Sequence, residues 1–86
     1  DNYPNPFNKN TLIKYRQKNS EIIKLYITDI KGSIVKVLHE NNLSKNNGIL
    51  FWDGTNNFGL KVNSGMYFYT LETSHHKKTK KMLLLK

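Results

Sequence analysis

Apolar residues in this chain recur at every second position in short runs, and polar or glycine-bearing turns separate the runs. A period of two places one set of side chains on each face of a strand, so the pattern calls for strands packed face to face. Thr11 to Arg16 sets Ile13 and Tyr15 on one face and Lys14 and Arg16 on the other. Gln17-Lys18-Asn19-Ser20 then reads as a polar turn. Glu21 to Asp29 alternates Ile23, Leu25 and Ile27 with Lys24, Tyr26 and Thr28. A helix competes here, with Ile23, Tyr26, Ile27 and Ile30 on one face; the β-branched content favours the strand.

Asp29-Ile30-Lys31-Gly32 is a turn with Gly32 at positive φ. Ser33 to His39 forms the next strand, with Val35 and Val37 alternating against Lys36. Glu40 to Asn47 reads as a polar connection with one short irregular strand around Leu43. Gly48 to Asp53 sets Leu50 and Trp52 against Ile49 and Phe51. A tight loop from Asp53 to Gly59 and a short segment, Leu60 to Asn63, lead to Ser64-Gly65 and the strand Met66 to Thr73. Ser74-His75-His76-Lys77 reverses the chain into Lys78 to Leu85, where Met82 and Leu84 point inward and Leu83 and Leu85 lie on the second face.

About seven short strands in this order predict an all-β fold, an immunoglobulin-like antiparallel β-sandwich. A small open barrel is the alternative. The expected core is Ile13, Tyr15, Leu25, Ile27, Val35, Trp52, Tyr67, Tyr69, Leu71 and Met82. Trp52 anchors it, because a small domain gains most by removing its largest apolar side chain from water. Residues 1–86 make a single domain, since a chain this short buries only roughly 60–65% of its extended surface and supports one core.

Both ends carry information. Pro4 and Pro6, the only prolines, restrain the chain to an extended path ahead of the first strand. The run Lys80-Lys81-Met82-Leu83-Leu84-Leu85-Lys86 is far more apolar than a frayed terminus, so it is expected to be tied into a sheet, read by a partner, or both. The net charge is +8, with Lys+Arg 14 against Asp+Glu 6. Arg16 is the only arginine, and arginine is the better reader of bases and phosphates. The charge therefore reads as a solvated face, edge protection or general attraction to anions, and not as a nucleic-acid site. The absence of cysteine excludes disulfides, thiolate metal sites and a Cys nucleophile. No run approaches the roughly 20 apolar residues of a spanning helix. No signal peptide opens the chain; export would need one upstream in a longer parent chain.

Catalytic constellations are not apparent. His39, His75 and His76 are the imidazoles, and adjacent strand residues point to opposite faces, so the pair is a poor metal site. The Asp53 to Gly59 loop has the acidic, Asn- and Gly-rich composition of calcium loops, but Phe58 occupies a ligand position. Asp53 or Asn56 bonding to nearby backbone N–H groups explains the loop better. Among Asp1, Glu21, Asp29, Glu40, Asp53 and Glu72, the two that adjoin glycine turns have structural reasons to be there, and no hydrolase pair stands out. No phosphate loop or nucleophile elbow is present. Tyr26, Phe51 and Phe68 can stack on sugars or bases, but packing within the sandwich is the expected role. The chain is thus expected to be non-catalytic and to need no cofactor or metal.

Six segments in order resemble the type A C-terminal sorting domain of the type IX (Por) secretion system. They are Asn2-Tyr3-Pro4-Asn5-Pro6-Phe7-Asn8, then Thr11-Leu12-Ile13-Lys14-Tyr15, then Thr28-Asp29-Ile30-Lys31-Gly32 with Thr28 where the family has an aromatic. Trp52-Asp53-Gly54 through Gly59, Ser64-Gly65-Met66-Tyr67-Phe68-Tyr69 and Lys80 to Lys86 complete the series. The resemblance implies a non-catalytic sorting signal on the tail of a larger secreted protein. Its partners would be the cargo domain preceding it, the translocon, a sortase-like peptidase and anionic lipopolysaccharide. The destination would be the cell surface or medium, through the periplasm and outer membrane. The translocon would read Lys80, Lys81, Met82, Leu83, Leu84, Leu85 and Lys86. Trp52 to Leu71 also resembles the immunoglobulin-like domain of flagellar hook-capping proteins, which implies an assembly or adhesion module instead. A carbohydrate-binding or enzymatic module is the remaining alternative.

Overall fold

A computed structural model describes residues 2–3, 10–16, 22–43, 47–74 and 76–85. Within them the chain forms seven strands and no helix: β1 (Asn2–Tyr3), β2 (Thr11–Arg16), β3 (Ile22–Thr28), β4 (Ile34–Leu43), β5 (Asn47–Trp52), β6 (Gly65–Thr73) and β7 (Lys77–Leu84). One sheet has the order β1-β2-β5 and the other β4-β3-β6-β7. All pairings are antiparallel. The chain crosses between sheets after β2, after β4 and after β5, which interlocks the layers as in an immunoglobulin-like sandwich. The strand reading of residues 22–28 therefore holds against the helical one.

The core lies between the layers. Ile13, Tyr15 and Trp52 come from the three-stranded sheet; Leu25, Ile27, Tyr67, Tyr69, Leu71, Met82 and Leu84 face them from the other. Alternation puts them there, since in each strand they occupy one parity. Trp52 is fully buried, its ring set edge-on to Tyr67 with centroids 5.5 Å apart. Its indole N–H donates to the Thr55 carbonyl at 2.9 Å, so the largest side chain leaves no polar atom unpaired.

Three expectations need correction. Val35 only packs against the margin of the core and is half-buried, because β4 is an edge strand. Residues 40–43 are not a polar connection with an isolated irregular strand: they continue β4. Register shifts against β3 absorb the irregularity between Ile22 and Lys24, Leu25 and Tyr26, and Ile27 and Thr28. Phe51 does not pack within the sandwich; it is 53% exposed on the outer face of β5, directly opposite Leu12. Tyr26 and Phe68 are half-buried. The Pro4 to Asn8 segment, the Gln17 to Ser20 turn, His75 and Lys86 lie outside the described residues.

Gly48 faces Tyr15 across β2 and β5. A Cβ there would meet Tyr15 Oη at 2.6 Å and Cζ at 2.9 Å, so the tyrosine ring occupies the space a side chain would take.

Candidate functional site

β7 is an edge of the four-stranded sheet, paired to β6 alone among the described strands. Its register against β6 sets Met82 opposite Tyr67 and Leu84 opposite Gly65. Those two side chains are buried and belong to the core. Lys77, Lys78, Thr79, Lys80 and Lys81 are exposed, Leu83 is half-buried and Leu85 is exposed beyond the strand. Lys78 and Lys80 share the parity of Met82 and Leu84, so the inward face of β7 changes from charged to apolar along the strand. A charge on the inward face of an edge discourages addition of a further strand. Lys77 approaches Glu72 at 3.8 Å, a loose surface pair that contributes little. Thr70 and Thr79 share a cross-strand hydrogen bond of 2.9 Å between their hydroxyls.

The opposite edge of this sheet is closed by a residue that sequence reasoning missed. The Asn57 N–H donates to the Val35 carbonyl at 2.9 Å, and the Val37 N–H donates to Asn57 Oδ1 at 3.0 Å. One loop residue thus stands in for a strand beside β4. No local signature reveals this, because the partners lie 20 residues apart.

The Asp53 to Gly59 loop is built by short side chains bonding to backbone. Asp53 Oδ1 accepts from the Thr55 N–H and hydroxyl. Asn56 Oδ1 accepts from the N–H groups of Phe58 and Leu60. These bonds use Asp53 Oδ1 and Asn56 Oδ1 to hold the loop, and they match the turn expected from the sequence. The Thr55 hydroxyl holds the Asp53 carboxyl below its ordinary pKa against the opposing effect of burial, helped by the Thr55 N–H and the charges of Lys36 and Lys61. Gly54 and Gly59 take positive φ of 78° and 81°. Gly32 does the same at 87° in the β3–β4 turn, as expected, and Asp29 Oδ1 accepts there from the Lys31 and Ser33 N–H groups.

Among the described residues no three metal-ligating side chains group together. His39 lies on β4 and His76 in the β6–β7 turn.

The arrangement defines a small β-sandwich module whose last strand divides into a buried apolar half and an exposed lysine row. A family model for a secretion system C-terminal sorting domain matches residues 1–85, and the chain belongs to that family, the sorting domains of type IX secretion. No curated protein and no solved structure matches the chain.

Proposed function

We propose that residues 1–86 are the non-catalytic tail of a larger secreted protein and direct that cargo across the outer membrane to the cell surface or medium. The translocon reads Lys80, Lys81, Met82, Leu83, Leu84, Leu85 and Lys86. A sortase-like peptidase then removes the domain, and the cargo is joined to anionic lipopolysaccharide. Family membership supports the sorting role. The observation that carries the finer reading is the division of β7: Met82 and Leu84 are consumed by the core, while Lys80 and Lys81 stand exposed at a sheet edge.

The test is a carrier fused ahead of residues 1–86, behind a signal peptide, in a bacterium that has this secretion system. The fusion should reach the cell surface or medium. Replacing Lys80, Lys81 and Lys86 with Ser should leave the melting temperature nearly unchanged, because Lys80 and Lys81 are exposed and exposed charges contribute little, and should hold the carrier in the periplasm. Replacing Met82 and Leu84 with Ala should impair folding as well, at about 2–5 kcal/mol each. Normal secretion of the folded triple-lysine variant would reduce those lysines to solubility and edge protection. Normal secretion after deleting residues 80–86 would reject the sorting reading of this strand.

A further inference from the structure

At one end of the sandwich the β3–β4 turn meets the loop from residue 53 to 63, and an open cleft of about 350 Å³ lies between them. Asp29, Ile34, Asn56, Asn57, Phe58 and Val62 contribute to its wall, with Tyr67 behind them. We propose that this cleft binds a neutral glycan, an activity independent of β7 and of the sorting reading.

The hydrogen-bonding groups are set in advance. Asn56 Oδ1 and Asn57 Oδ1 are both committed to backbone N–H groups, which fixes the amide orientation and leaves each Nδ2 as a donor. Asp29 Oδ1 is held by its own turn, so its second oxygen is the available acceptor. Amide donors beside a carboxylate acceptor suit hydroxyl groups, which both give and take hydrogen bonds. The charges in the wall offset each other: Asp29 is negative, and Lys61 turns its ammonium onto the Asp53 carbonyl at 3.0 Å. An anion would find stronger attraction on the lysine-rich faces of a +8 domain than here.

Phe58 supplies the third element. It is 88% exposed at the tip of a loop whose backbone is held by hydrogen bonds to Asn56, and its ring faces solvent. The negative face of an aromatic ring receives the polarised C–H groups of a sugar. The apolar surface beside it, from Ile34 and Val62, extends that contact. The Trp52–Tyr67 edge contact and the Tyr67 hydroxyl bond to the Asn63 carbonyl at 2.7 Å tie the cleft to the core.

The experiment is amide NMR of the 86-residue chain titrated to millimolar levels with cellotetraose, mannotetraose, xylotetraose and chitotetraose. At least one should shift the amides of Asn56, Asn57 and Phe58. Asn56→Asp keeps the oxygen that accepts from Phe58 and Leu60 but removes the amide donors. Phe58→Ala removes the ring alone. Each variant should melt near the parent and bind about tenfold more weakly. No shift with any of the four sugars would overturn the proposal, as would undiminished binding by both variants. Shifts of these amides by dextran sulfate or polyglutamate alone would assign the cleft to anions or peptide and overturn it too.

Discussion

Trp52→Phe tests the core and the loop together. The substitution keeps an aromatic ring against Tyr67 but removes the indole N–H that meets the buried Thr55 carbonyl. The smaller ring leaves a cavity of about 40 Å³, which at about 24 cal/mol per Å³ costs about 1 kcal/mol. The lost transfer energy of the removed atoms is of similar size, about 1 kcal/mol. The stranded carbonyl adds about 1–2 kcal/mol. Together these give about 3–4 kcal/mol, a large part of the stability of a domain this small. The melting temperature should fall by about 12–30 °C. Urea unfolding followed by far-UV circular dichroism measures the change without depending on the lost fluorophore. The loop should loosen as well, since Trp52 holds Thr55 and the same loop places Asn57 against β4. Amide exchange at Asn57, Val62 and Val37 should then accelerate more than at Ile27. A loss below about 1 kcal/mol, or exchange that rises equally everywhere, would refute the coupling of core, loop and sheet edge.

Gly48→Ala should destabilise by about 1–3 kcal/mol, because the new Cβ overlaps the Tyr15 ring well inside van der Waals contact and the ring must shift; a urea midpoint equal to the parent's would contradict the close approach. Tyr69→Phe should raise the unfolding free energy by about 1 kcal/mol, since the Tyr69 hydroxyl is buried without a partner; a clear loss of stability would mean that the hydroxyl has one. The depressed pKa of Asp53 means that its ionised form is favoured by folding, so its contribution is present above the ordinary value of 3.8 and is lost as pH falls through the lower folded value. Asp53→Asn should flatten that acid limb of the melting curve, and an unchanged pH profile would remove Asp53 from it.

Much of the fold was legible because period-two alternation is a local property. Thr11–Arg16 emerges with its predicted limits, and Ile13, Leu25, Ile27, Trp52 and Met82 are interior as their parity requires. The turns were legible for the same reason: Asp29, Gly32, Asp53 and Asn56 act on backbone groups within a few residues of themselves. Family membership was legible because the motifs are spread along the chain in order.

Sequence by itself thus determined which residues alternate, where the chain turns and what kind of module it makes. Only the tertiary structure decided which strands became edges. That choice left Val35 half-buried; pairing with β3 drew residues 40–43 into β4, and the outer face of the three-stranded sheet left Phe51 exposed beside Leu12. It also brought Asn57 to the edge of β4, and set Asn56 and Phe58 across a cleft from Asp29. Alternation fixes which side of a strand faces a sheet's interior. It carries no information on which neighbour lies alongside, because that depends on contacts between residues far apart in the chain.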